Sequence, residues 1–288
     1  MKLFWKGVEK MYEIKKLEGT AFSQITECIN EAFSDYCVPF HVSEKELSER
    51  FERENVRYDL SYGAFCQEKL VAVLLNAIGC YQGEMIAFDA VTGVIPGHRR
   101  KGVYTQMLRY CREDFKREKI GRYVLEVIQT NDSAVETYQK MGLHIAKEYA
   151  CFQGRADSRS KELEYGNDIP AGLFPLESLE RLHLFAPSFE NRTEMIKKFA
   201  DQYHVLYIGE RERCSAFVIY HAETGQVKQL GRKAGHIAGL CQLLGYLSSR
   251  FENIKIHNIV VQDNELVKSL EDMGFHHFCD QYEMEMVL

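Results

Sequence analysis

The run Pro96-Gly97-His98-Arg99-Arg100-Lys101-Gly102-Val103-Tyr104 sets three cations and two glycines between a strand-like stretch ending at Val94-Ile95 and an amphipathic stretch beginning at Val103. A strand-to-helix turn of this kind aims several unpaired N–H groups at one point, with the positive end of the helix dipole behind them. Phosphate binds readily at such a point, and Gly102 lets a pyrophosphate approach the main chain. On these residues alone the loop is either a phosphate site or a solvated basic turn.

Carboxylates are the other group able to do chemistry. Glu126 lies in Leu125-Glu126-Val127, an otherwise apolar strand. A carboxylate there is costly unless it is exposed, hydrogen-bonded, or kept for proton transfer with a raised pKa. Asp89 and Glu84, on the strand before the loop, compete with it, and strict alternation sets Asp89 on the face opposite Phe88, Ala90 and Thr92. His98 reads as a solvated turn residue. Tyr138, alone on a helical face, reads as core. Nine cysteines, odd in number and without a C-x-x-C pair, argue against a disulfide framework or zinc cluster, so no metal is expected.

These residues need elements to position them. Tyr12 to Leu17 reads as a strand, and Phe22, Ile25, Ile29 and Phe33 recur at helical spacing. Ser43 with Glu46 makes a capping box for a second helix. Polar Gln67-Glu68-Lys69 and then Gln82-Gly83 separate three strands, the last being Met85 to Ile95. Val103, Met107, Cys111 and Phe115 form the stripe of a buried helix, followed by a strand from Tyr123 to Ile128. A short helix from Asn131 to Met141 is capped by Gly142, and Leu143 to Phe152 is a final strand.

The same order returns after a charged, apolar-poor stretch from Asp157 to Asp168. The clearest match is Asn131 to Met141-Gly142-Leu143 against Asp263 to Met273-Gly274-Phe275. So long a period implies tandem domains: residues 1–154, a linker 155–170, and residues 171–288, with a capped helix opening at Asn191 in the second copy. A chain of 288 residues with 45% hydrophobic and 27% charged content suits two globular α/β domains of the α+β type. A net charge of −6 disfavours nucleic acid and anionic membranes as partners, and no apolar run has the length of a signal peptide or a membrane span, so a cytoplasmic protein is expected.

Val94-Ile95-Pro96 through Arg99, Gly102 and Tyr104 resembles the signature V-x-P-x-x-[QR]-x-x-G-x-[GA] of the GNAT superfamily of N-acetyltransferases. The order of elements from Met11 to Gly154 is similar to that fold, as is the pattern Asn131, Ala134, Tyr138, Gly142. The resemblance implies two tandem acyl-CoA N-acyltransferase folds, each a mixed central sheet flanked by helices. It implies acetyl-CoA as cosubstrate, with Thr92, Gly93 and Val94 pairing with the pantetheine arm and Asn131 contacting it. The pyrophosphate cradle would run over Arg99, Arg100, Lys101, Gly102, Val103, Tyr104 and Thr105. Tyr104 departs from the pattern and would crowd the last of these amides.

The resemblance further implies catalytic roles for Tyr138, protonating the departing thiolate, and Glu126, the base, as in ribosomal-protein N-terminal acetyltransferases. In the second copy Tyr138, Ala134 and Asn131 correspond to Leu270, Leu266 and Asp263, and Gly231 to His236 departs from the loop signature, so that copy is expected to lack the acid and the cofactor. It would shape the acceptor side, mediate dimerisation, or simply bury an interface. The function implied is direct acetyl transfer in a ternary complex to a primary amine of a small molecule or peptide, with specificity in the loop containing Asp35-Tyr36-Cys37-Val38-Pro39-Phe40. The rival is an acyl-CoA sensor without turnover.

Overall fold

The computed structural model describes residues 11–35, 41–157, 163 and 166–288. Tyr36 to Phe40 of the expected acceptor loop, and residues 158–162, 164 and 165 of the expected linker, lie outside the described residues. The chain forms two compact units. One holds the residues up to Leu125 with Tyr138–His144 and Glu285–Leu288, the other Glu126–Thr137 with Ile145–Met284.

In the first unit, β1 (Glu13–Lys16), β2 (Tyr62–Cys66), β3 (Lys69–Tyr81), β4 (Glu84–Val94) and the start of β5 (Arg122–Ile128) are neighbours in that order. The pairs are antiparallel as far as β4, and β4 runs parallel to β5. Both hairpin turns have two left-handed central residues, Gln67 and Glu68 in one, Gln82 and Gly83 in the other. That backbone matches the twist of the flanking strands, even where glycine is absent. Helices α1 (Phe22–Ala32), α2 (Glu44–Glu54) and α3 (Val103–Arg117) flank this mixed sheet. The capping box at α2 forms as expected: the Ser43 hydroxyl accepts from the Glu46 N–H, and the Glu46 carboxylate accepts from the Ser43 N–H at 2.8 Å.

The short helix α4 (Asp132–Lys140) is followed by β6 (His144–Gly154). In the second unit come β7 (Gly166–Pro170), β8 (Tyr203–Ile208), β9 (Ala216–His221), β10 (Val227–Arg232) and β11 (Ile254–Val260), in the order β6-β11-β10-β9-β8-β7. β6, the strand that closes the first fold in the sequence reading, pairs antiparallel with β11. β12 (His276–His277) pairs with β6 as well. The last strand, β13 (Gln281–Val287), has its end in the first unit, where the Arg122 guanidinium donates to Glu285 at 2.6 Å and the Leu288 N–H to Gly121 O at 3.0 Å. Its beginning is in the second, where the Gln129 N–H donates to Asp280 O at 2.9 Å and the Tyr149 hydroxyl to Glu283 at 2.7 Å.

Helix α5 (Thr193–Lys198) starts later than its sequence suggests, because Phe189–Asn191 forms a 3₁₀ turn and Arg192, which caps nothing with its side chain, precedes the helix. Helices α6 (Ile237–Arg250) and α7 (Asn264–Asp272) complete the second unit, with Leu240, Leu243, Leu244 and Leu247 of α6 fully buried. Among the described residues no helix is long and apolar enough to cross a membrane, and no three His, Cys, Asp or Glu residues are placed to hold a metal ion.

Candidate functional site

The β4–β5 ladder contains only Ile86, Ala87 and Phe88 opposite Arg122, Tyr123 and Val124. β4 runs on to Val94, so its main chain from Asp89 onward extends beyond the ladder. At that point β4 carries a bulge: Leu75 faces Val91 and Asn76 faces Asp89, which leaves Ala90 as the extra residue. An extra residue reverses the alternation beyond it. Thr92 therefore joins Asp89 on one face and donates its hydroxyl to Asp89 Oδ2 at 2.5 Å, which corrects the strict alternation read from the sequence. Gly93 answers a different need, since a Cβ there would meet the Ala32 Cβ of α1 at 3.0 Å.

After Val94 the chain makes a 3₁₀ turn at Pro96–His98 and enters α3 through Gly102, whose φ of 72° is left-handed. No side chain caps this 15-residue helix, so the first-turn amides of Val103, Tyr104 and Thr105 keep their donors. A Cβ on Gly102 would meet no protein atom within 4 Å, which leaves room above those donors. Gly102→Ala is expected to cost about 1 kcal/mol from the left-handed backbone, read as a lower urea midpoint.

The cations of the loop divide their labour. Arg99 donates to Asp35 at 2.7 and 2.8 Å, to Ala32 O at 2.7 Å and to Val94 O at 3.0 Å, which ties the loop to the end of α1. Lys101 donates to Gly97 O at 2.8 Å. Arg100 is exposed, with φ at 59°. Arg99 thus braces the loop, while Arg100 is left exposed.

Tyr104 does not crowd the loop. Its ring is buried and meets Tyr138 edge-on, with centroids 5.4 Å apart. Beneath it, the Tyr123 hydroxyl donates to Asp89 Oδ2 at 2.9 Å. Burial pushes the Asp89 carboxyl up to about 6, opposed by the Thr92 and Tyr123 bonds. Glu84 is half exposed and paired with Arg122 at 2.7 Å, as a structural partner would be.

Glu126 and Asn131 belong to the second unit. Asn131 Oδ1 accepts from the Ala134 N–H at 3.3 Å, a cap at the start of α4. Seven residues on, two helical turns, Tyr138 lies on the same face of α4. Glu126 as a residue is only half-buried, but its carboxyl is enclosed. Oε2 accepts from Asn258 Nδ2 at 2.7 Å, while Oε1 has no hydrogen-bond partner among the described residues. Burial first, then the Glu190 and Glu283 carboxylates, push its pKa well up, and the Asn258 bond and Lys147 oppose them. Nothing in the sequence reading singles out Asn258; the signal available is the polar pair His257-Asn258 interrupting an otherwise apolar strand.

Residues 25–143 match the profile of the acetyltransferase (GNAT) family. No curated protein matches the chain in sequence. Among solved structures, a GCN5-related N-acetyltransferase from Sphaerobacter thermophilus superimposes with a TM-score of 0.69 at 11% identity, covering 96% of this chain and 95% of that one. A tandem GNAT protein from the clavulanic acid biosynthesis pathway gives 0.67 at 13% identity, covering 96% and 98%. A GCN5-related N-acetyltransferase from Anabaena variabilis gives 0.61 at 12% identity, covering 96% and 72%. The chain has the GNAT acetyltransferase fold.

In the second unit β10 and β11 are likewise neighbours. They too are parallel, joined only at Val227 and Ile256. A cavity lies there, lined by Leu182 to Ser188 together with Gln229, Ile256 and Asn258, and a Cβ on Gly231 would meet Leu182 O at 2.6 Å. Arg232 forks onto Asp263 with two bonds of 2.8 Å and reaches Glu265 as well. Asp263 also caps α7 through the Leu266 N–H, as Asn131 does for α4, and Leu270 is fully buried.

Proposed function

We propose that this protein transfers the acetyl group of acetyl-CoA to a primary amine by direct transfer. The observation that carries the reading is the sequence of three features in the first unit. The β4–β5 ladder ends at a bulge, β4 extends past it, and a glycine leads into an uncapped helix whose amides and Arg100 suit a pyrophosphate. Thr92, Gly93 and Val94 offer main chain to the pantetheine arm, and Asn131 adds a polar contact. The bound thioester supplies the activated acetyl group.

Glu126 takes the proton of the acceptor ammonium, which leaves a neutral amine to attack the carbonyl. Burial raises its pKa, the direction that strengthens a carboxylate as a base. Tyr138 donates its phenol proton to the departing thiolate. Glu190 beside Glu126 favours a cationic acceptor, a small molecule or a peptide amine. Residues 1–154 are read as the catalytic half. The half after the linker is read as a degenerate GNAT copy, with Leu270 in the acid's place, which accords with the likeness to a tandem GNAT protein.

CoA and acetyl-CoA are each expected to raise the melting temperature of the full chain by linkage. Thiol release from acetyl-CoA with a panel of polyamines, aminoglycosides, amino acids and peptides should find turnover. Tyr138→Phe should lower kcat about 10²-fold, within the range of general-acid effects, and keep the CoA shift. The absence of a shift with either ligand would overturn the proposal, and a shift without turnover would favour an acyl-CoA sensor.

A further inference from the structure

Asn258 stands in the middle of β11 with φ at 60°, where the register slips between Ile256 and Ile259. Asparagine tolerates this backbone better than most residues, yet its place inside a strand is costly and calls for a reason. The slip aims its amide at one group. Nδ2 donates to Glu126 Oε2 at 2.7 Å and to Ser188 Oγ at 2.9 Å. Oδ1 accepts from Gln281 Nε2 at 3.3 Å, and the Asn258 main-chain N–H lies 3.4 Å from Cys151 Sγ. The Glu126 carboxylate favours this orientation of the amide, because the flipped form would set Oδ1 against it.

The two oxygens of Glu126 are thereby made different: Oε2 is pinned, and Oε1 is enclosed with no hydrogen-bond partner among the described residues. We propose that Asn258 is a positioning residue for Glu126, fixing the carboxyl through Oε2 so that Oε1 is the oxygen that takes the acceptor's proton. This inference rests on the reading of Glu126 as the base. It also gives the half of the chain after the linker a part in the reaction, since it supplies Asn258 together with Ser188 and Glu190 around the carboxyl. In the step, an N–H bond of the acceptor ammonium breaks, its electron pair stays on nitrogen, and the proton forms an O–H bond at Oε1.

The groups facing Glu126 set what loss of Asn258 would do. Glu190 and Glu283 disfavour its charge, Lys147 favours it, and Cys151 stays a neutral thiol, its pKa pushed up to about 12 by burial. Asn258 is the hydrogen-bond donor that offsets burial. Without it the neutral acid gains, and the proton must be removed at higher pH.

Asn258→Gly and Asn258→Asp both accept a left-handed backbone; the first deletes the donor, the second replaces it with an acceptor. In the full chain, Asn258→Gly is expected to lower kcat about 10- to 100-fold below the wild-type acidic limb, the loss of one hydrogen bond to a charged group. The limb should move to higher pH, the KM for acetyl-CoA should hold, and Asn258→Asp should move the limb further. Carbon-13 NMR of the side-chain carboxyls, assigned by difference from Glu126→Gln, reads the same shift without an acceptor. A Glu126 titration unmoved in both variants, or a fall in kcat with the limb in place, would overturn the inference. Because the NMR titration needs no amine, failure to find an acceptor counts against the proposed function and not against the Asn258 contact.

Discussion

Glu126→Gln is expected to lower kcat/KM for amine acetylation by about 10²–10⁴-fold at neutral pH, the range of general-base effects, while the CoA-induced rise in melting temperature persists. Glutamine keeps the shape and still accepts from Asn258, so the substitution removes proton affinity and little else. The acidic limb of the wild-type pH profile should vanish with it. A second effect has the opposite sign. The folded-state pKa of Glu126 is raised, so its contribution to stability is present below the unfolded pKa and is lost as pH rises through the folded one. Glu126→Gln should therefore melt higher than the wild type in alkaline buffer. A variant that keeps kcat/KM within threefold would move the base elsewhere.

Asp89 is the alternative, and Asp89→Asn separates the two. The Asp89 carboxyl is enclosed on the face that carries Thr92 and Tyr123, and both hydroxyls donate to its Oδ2. Its pKa rises from 3.8 to about 6 on folding. Raised in the folded state, it stabilises below pH 4, and that contribution is lost as pH climbs through 6, about 3 kcal/mol in all. Asparagine still offers one carbonyl to Thr92 and Tyr123 and never ionises. Asp89→Asn should thus gain several degrees over the wild type at pH 8, lose that advantage at pH 4, and retain acetyl transfer within about tenfold, well inside one general-base effect. Scanning calorimetry across pH checks the first part and steady-state rates the second. Loss of turnover here, with Glu126→Gln active, would make Asp89 the base.

Much of the first unit is legible in the sequence because its signals are local. The capping box at Ser43, the turn at Gln82-Gly83, the apolar stripe of α3 and the glycine entering it each depend on residues a few positions apart. Such features follow from backbone dihedrals and side-chain periodicity, which neighbours decide. The matched glycines, Gly142 and Gly274, take φ of 96° and 94° after corresponding helices for the same reason. Hence the sequence by itself determined the strand–turn–helix course through Gly102, the seven-residue spacing of Asn131 and Tyr138 across the start and end of α4, and the GNAT resemblance.

What lay beyond it depends on distant partners. Arg99 counts as loop charge in the sequence, but its fork to Asp35, 64 residues away, makes it a brace. One bulged residue, Ala90, reverses the faces of β4, and only the register against β3 reveals it. β6 reads as the end of one fold and pairs with β11. Glu126 is visible as an unusual carboxylate in an apolar strand, whereas the burial and the Glu190 and Glu283 carboxylates that raise its pKa, and the Asn258 and Lys147 groups that oppose them, come from distant parts of the chain. Proton affinity and pairing depend on burial and on charges brought together through space, and no window of sequence contains them. Tertiary structure alone decided the burial and the hydrogen-bond partners of each carboxylate.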